Sequence, residues 1–164
     1  MTEQSKNANL LVKQLTDLNL TLSTAESCTG GLIAKRITDV SGCSSVFFGG
    51  CVTYTNQVKQ QLLGVDPQIF EHYTEVSEEC AKAMAEGIRN RLGTDFGVST
   101  TGYAGPTGGT TENPIGTVYI AVATPNKTVC QRIQAPVGST RDQVRSYAAD
   151  TALQTVLELL GDNI

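Results

Sequence analysis

The stretch Leu20-Thr21-Leu22-Ser23-Thr24-Ala25, continuing through Glu26-Ser27-Cys28-Thr29-Gly30-Gly31 into Leu32-Ile33-Ala34-Lys35-Arg36-Ile37, decides the fold. Residues 20–25 form a short β-like run. Two glycines then break the chain, and Ile33, Ile37 and Val40 recur at helical spacing. Strand, small-residue turn and helix in immediate succession are the repeating unit of α/β proteins.

The same alternation continues on both sides of this unit. Before this unit, residues of about 4–18 place Leu11, Leu15 and Leu18 on one helical face. After it, Val46 to Tyr54 is aromatic and β-branched, with Gly49-Gly50 marking a bulge or a close backbone approach. Thr55 or Asn56 suits the cap of a short helix ending near Gly64. A stronger helix spans Ser77 to Leu92, with Ser77 as N-cap, two glutamates in its first turn and Gly93 just beyond it. Its apolar ladder is Val76, Cys80, Met84, Ile88 and Leu92. Phe96 to Thr100 is a short strand leading into a glycine-rich loop. Two further strands, Gly116 to Ala123 and Thr128 to Ala135, meet at a Pro125-Asn126 hairpin turn. A last helix is expected from Ser139, capped with Asp142, to about Leu160, on a stripe that includes Val144, Ala148, Ala152, Val156 and Leu160. The order α-β-α-β-α-α-β-β-β-α predicts one domain over 1–164: a three-layer α/β/α sandwich with a mixed central sheet.

Composition narrows the function. The chain has 164 residues, 40% of them apolar, and a net charge of −4 with 12 Lys and Arg. No basic run offers a footprint for nucleic acid. No apolar stretch approaches the roughly 18 residues that span a bilayer. The start, Met1 to Lys6, is polar and lacks a signal-peptide core, so a cytoplasmic location is expected. Five cysteines (28, 43, 51, 80 and 130) without a CxxC pair read as free thiols. His72 is the single histidine, so no multi-histidine metal site can be built, and no GxSxG elbow accompanies it. Any nucleophile must therefore find a base other than imidazole. No metal and no cofactor is expected.

Three stretches at strand ends suit a ligand site. In Glu26 to Gly31 the backbone can approach a ligand, and the following helix start can hold a phosphate or a developing oxyanion. Ser27 at its mouth is a candidate nucleophile, or Ser27 and Thr29 merely cap the helix; Cys28 is a rival nucleophile or a small buried filler. In Thr53-Tyr54-Thr55-Asn56 with Lys59, a tyrosine and a lysine one helical turn apart can face one crevice. A lysine partly removed from water loses proton affinity and can take a proton from a serine hydroxyl; the plain alternatives are a solvated lysine and a core-edge ring. The third stretch, Thr101 to Gly109, can wrap phosphate or ribose through its amides, although glycine and proline also mark ordinary turns. Arg141, beside Gly138-Ser139-Thr140, can pair with a phosphate or simply face solvent.

Taken together, residues 25–31, Val52-Thr53-Tyr54-Thr55-Asn56 with Lys59, Gly102-Tyr103-Ala104-Gly105-Pro106, and Pro114-Ile115-Gly116-Thr117-Val118 resemble the CinA C-terminal domain family in order and spacing. The resemblance covers about residues 7 to 160 and is closest to the stand-alone form. It implies a three-layer α/β/α fold, a homodimer, and a nicotinamide-nucleotide amidohydrolase that turns nicotinamide mononucleotide (NMN) and water into nicotinate mononucleotide and ammonia. It also implies Ser27 as nucleophile, Lys59 as its base and Tyr54 as an assisting hydroxyl. Glu26, Thr29, Gly30, Gly31, Thr101, Gly102, Ala104, Gly105 and Arg141 are then expected around the substrate. Tyr103 stands where the resemblance implies a smaller aliphatic residue, and Val137 to Arg141 departs from the usual run before the last helix. The alternative is a catalytically inactive nucleotide-binding module of the same fold.

Overall fold

Residues 3–161 are described by a computed structural model; Met1, Thr2 and residues 162–164, the ends of the expected domain, lie outside the described residues. The elements are α1 (Glu3–Leu18), β1 (Leu22–Glu26), α2 (Leu32–Thr38), β2 (Phe47–Val52), α3 (Asn56–Leu63), α4 (Pro67–Tyr73), α5 (Glu78–Leu92), β3 (Phe96–Gly102), β4 (Thr117–Ala123), β5 (Thr128–Gln134) and α6 (Arg141–Gly161). They form an α/β fold around one mixed sheet of order β2-β1-β3-β4-β5. β1 pairs in parallel with β2 and β3, whereas β3–β4 and β4–β5 are antiparallel. Helices α1, α2 and α6 cover one face; α5 covers the other, with α3 and α4 packed against α5.

The apolar stripes explain the layering. Leu11, Leu15, Ile33, Ile37, Val144, Ala148, Ala152 and Val156 meet Val98, Val118, Ile120 and Val122 in the larger core. Cys80, Met84 and Ile88 meet Ala25, Leu63 and Val65 on the opposite face. Leu18, expected on the buried face of α1, is instead exposed, because that helix ends there and turns through Asn19 at φ 53°; Ala8 and Val12 complete its inner face.

Gly49-Gly50 produces both effects anticipated for it. The register slips between Leu22 opposite Phe47 and Ser23 opposite Gly49. A Cβ on Gly50 would lie 2.1 Å from Thr24 Oγ1, so only glycine fits there.

Two local expectations need correction. Asp66 and Pro67 start a further helix, α4, with the Asp66 side chain accepting from Gln68 N. Its seven residues are too few for a clear period in the sequence. The cap of α6 is one residue later than expected: Thr140 N donates to Gln143 Oε1 at 2.8 Å, and Gln143 N donates to Thr140 Oγ1 at 3.3 Å. Ser139 instead donates its hydroxyl to Pro136 O. The reciprocal pair is thus Thr140 with Gln143, a capping box using the longer amide. Arg141 becomes the first helical residue.

Candidate active site

The parallel part of the sheet determines where a site can form. The chain leaves β1 toward β2 on one side, while β3 lies on the other, so the carboxyl ends of β1 and β3 flank a topological switch point. Ser27 follows β1 directly there, and its N–H donates to Thr100 O of β3 at 3.0 Å. Thr53 follows β2, and its N–H donates to Glu26 O at 2.8 Å. Three strand ends are thereby laced together.

The turn after β1 is built from buried polar groups. Gly30 N donates to Ser27 O, and Gly30 and Gly31 take φ +60° and +97°, values that favour glycine. The Thr29 hydroxyl bonds Glu26 Oε1 and Thr100 Oγ1, both at 2.7 Å. Glu26 also accepts from the amides of Ile33 at 2.9 Å and Ala34 at 3.0 Å. The carboxylate thus caps the first turn of α2 from within the chain. The amides of Thr29 and Gly31 have no backbone acceptor among the described residues.

Lys59 enters from α3. Thr55 caps that helix through Val58 N, placing Lys59 on its inward side. The lysine is 1% exposed, an uncommon place for an amine. Its Nζ donates to Thr53 O at 2.9 Å and lies 3.2 Å from Ser27 Oγ. Burial lowers its proton affinity below that of an ordinary lysine. Ser27, at 9% exposure, remains within reach of the surface. Cys28 behaves differently: burial pushes its thiol up to about 12, so it stays protonated and is no rival nucleophile at neutral pH.

The other expected residues divide into two groups. Tyr54, Arg141 and Gly105 come together: Arg141 Nη2 donates to Tyr54 Oη at 2.6 Å and Nη1 to Gly105 O at 2.7 Å. This arginine joins the ends of β2 and β3 to α6. The Tyr54 hydroxyl is held by Arg141, and among the described residues it bonds neither Ser27 nor Lys59.

In the second group the side chains are turned into the fold, which leaves the backbone as the part of these residues that can meet a ligand. Glu26 is 1% exposed and its carboxylate is committed to Thr29 and α2. Thr29 is buried with it. Thr101 is buried and donates its hydroxyl to Glu75 O at 2.6 Å. Gly102 closes β3, where a Cβ would strike Thr117 O of β4 at 2.4 Å. Ala104 packs in the larger core. For Glu26, Thr29, Thr101 and Ala104, packing or a buried hydrogen bond holds the side chain inside the fold.

Two contributors were missed from the sequence. Thr53 supplies a carbonyl, which leaves no signal in residue type. Arg145 grips Thr29 O through Nε at 3.2 Å and Nη2 at 2.9 Å, bracing the serine turn from α6. Its i+4 spacing from Arg141 was the available clue.

The CinA C-terminal domain family matches residues 4–160, nearly all of the chain. This protein is a member of that family. A CinA-like protein of Myxococcus xanthus is 47% identical over 154 residues, 93% of this chain and 36% of that protein. The chain thus spans about a third of the length of that curated relative. Solved structures match over nearly their whole length. The competence/damage inducible protein CihA from Agrobacterium tumefaciens superposes with a TM-score of 0.93 at 36% identity, covering 97% of this chain and 96% of that one. The competence damage-inducible protein A (ComA) from Klebsiella pneumoniae gives 0.94 at 28% identity, covering 99% and 100%. The CinA fold is therefore established for this chain. Among its described residues, no helix is long and apolar enough to cross a membrane.

Proposed function

We propose that this CinA-family domain is an amidohydrolase that deamidates NMN to nicotinate mononucleotide and ammonia, with Ser27 as nucleophile and Lys59 as its base. The observation that carries the reading is the 3.2 Å approach of a buried amine, Lys59 Nζ, to a serine hydroxyl at the switch point of the sheet. Desolvation lowers the proton affinity of this amine, which favours the neutral form that a base for serine must take.

The Ser27 proton passes to Lys59 Nζ while Oγ bonds to the carboxamide carbon. The Thr29 and Gly31 amides are the chain's own donors for the oxyanion. The carbon–nitrogen bond then breaks, and ammonia leaves with the proton returned by Lys59. Water attacks the resulting ester, giving one proton to Lys59, which hands it back to Ser27 Oγ. In this reading Arg141, which holds Gly105 O and the Tyr54 hydroxyl, is the partner of the substrate phosphate, with Tyr54 beside it. A homodimer in the cytoplasm belongs to the same reading.

Incubating purified protein with NMN and identifying the products tests the proposal. Ammonia and nicotinate mononucleotide are expected, with turnover lowered about 10³-fold or more in Ser27→Ala. Absence of ammonia release, or full activity in that variant, would overturn it. The second reading, a nucleotide-binding module without catalysis, predicts NMN binding with no product.

A further inference from the structure

Glu75 belongs to none of the motifs above, yet the link that carries it is held more firmly than a four-residue connection requires. Between α4 and α5 the chain runs Thr74-Glu75-Val76-Ser77. Thr74 is β-branched but sits at φ 70°, ψ 173°, a region such residues avoid unless their surroundings impose it. Thr74 Oγ1 donates to Val76 O at 3.4 Å and Ser77 Oγ to Thr74 O at 2.9 Å. Two more bonds come from outside: Thr101 Oγ1 to Glu75 O at 2.6 Å, and Asn113 Nδ2 to Val76 O at 3.2 Å. Thr101 is the neighbour of Thr100, whose carbonyl holds Ser27 N–H. The strained link is therefore tied to the strand end that supports the nucleophile.

The Glu75 side chain is half-buried, and its carboxylate accepts no hydrogen bond among the described residues. Its charge nevertheless acts on groups from three elements: Lys59 on α3, Cys80 on α5 and Tyr103 just after β3. Residue 75 is thus tied through its backbone to the strand end behind Ser27, and its carboxylate acts on three groups around that end.

The groups facing Lys59 are Ser27 and Cys28 after β1, Thr53 O after β2, Cys80 on α5, and Glu75. Burial lowers the proton affinity of Lys59, and Cys80, Glu75 and Cys28 oppose that effect. Burial also raises the two thiols, to about 11 for Cys80 and about 12 for Cys28, so near neutral pH both are uncharged. Glu75 is then the one member of the set that brings negative charge to the lysine.

We propose that Glu75 is a positioning residue of this site, its carboxylate held by the Thr74 link where it stabilises the ammonium that Lys59 becomes on taking the serine proton. The functional meaning of this inference rests on the amidohydrolase reading; the charge pairing itself does not. Glu75 gains and loses no proton in the cycle. It lets a buried amine carry one between Ser27 and the departing nitrogen.

The direct test follows Lys59 Nζ by NMR in protein labelled with ¹³C,¹⁵N-lysine, assigned with Lys59→Met. In Glu75→Gln the titration midpoint of Lys59 is expected to fall by about half to one pH unit, while Glu75→Asp stays near wild type. The acid limb of kcat/KM for NMN should move down by the same amount, because the amine is neutral at lower pH. A folded Gln variant with an unchanged or raised midpoint overturns the inference, even if activity falls. If the Gln variant does not fold, Glu75→Ser takes its place, with the same expected fall and the same overturning result. If wild-type protein releases no ammonia from NMN, the amidohydrolase reading fails while the NMR titration still decides the pairing.

Discussion

Strands β1 and β5 belong to one sheet but follow opposite rules. All five residues of β1 are buried, although Ser23, Thr24 and Glu26 are polar. In β5 only Ile133 is buried, and its polar residues lie toward the surface. β5 is an ordinary antiparallel edge whose polar side chains need no special arrangement. β1 is central and parallel on both sides, so each of its polar groups must find a partner inside the protein. Ser23 bonds the Thr94 hydroxyl at 2.7 Å, and Glu26 bonds Thr29 and two amides of α2. Thr24 Oγ1 has no partner among the described residues. Polar residues are buried at such cost in the half of the sheet that supports Ser27 and Lys59. The antiparallel half supplies a loop and α6.

The contrast can be attacked from either strand. The largest effect is expected at Lys59. Lys59→Met should lower NMN turnover about 10³-fold or more, measured as ammonia release. It should also remove a pH dependence of stability. The folded pKa of Lys59 lies below the ordinary value of about 10.4, so in the window between them the unfolded chain binds more protons. Wild-type stability relative to the Met variant should therefore rise with pH across that window, by at most about 1.4 kcal/mol per pH unit. Urea unfolding of both proteins from about pH 7 up to about 10.4 checks the sign; a difference that is flat or falling over the whole range would contradict the burial argument.

Gly50→Ala comes next, with a loss of about 3 kcal/mol, because its Cβ would overlap Thr24 Oγ1. Thr24→Ala in the same chain should restore a large part of that loss, since it removes the obstructing hydroxyl, itself unpartnered among the described residues. Additive losses in a double-mutant cycle would show that the glycine serves some other purpose. Glu26→Gln should cost about 2 kcal/mol in urea unfolding, because one of the two oxygens that accept from α2 amides becomes an NH2 donor. On the antiparallel side, Asn126→Ala in the exposed turn should stay within about 0.5 kcal/mol and leave turnover unchanged.

The same contrast explains what the sequence disclosed. Periodic stripes made α5 and α6 legible, and glycines marked the turn after β1 and the bulge in β2. Ser27 and Lys59 stood out by residue type and family resemblance, and the fold brings them within 3.2 Å. The direction faced by Glu26, Thr29 and Thr101 was not legible, since a polar residue beside a glycine turn looks the same whether it meets a ligand or bonds the backbone beneath. Short α4 lacked the length for a period. Glu75 was invisible for a different reason: its placement depends on a strained threonine and on hydrogen bonds from Thr101 and Asn113, which lie far along the chain.

The inner carboxylate of Glu26 has one more consequence. The amino end of α2, the natural seat for an incoming anion in a strand–turn–helix unit, is already filled by the chain's own charge. A phosphorylated guest arriving at this fold would find that berth taken and would have to moor elsewhere. Swapping ligands by redesigning the α2 end alone should therefore fail unless position 26 is emptied first.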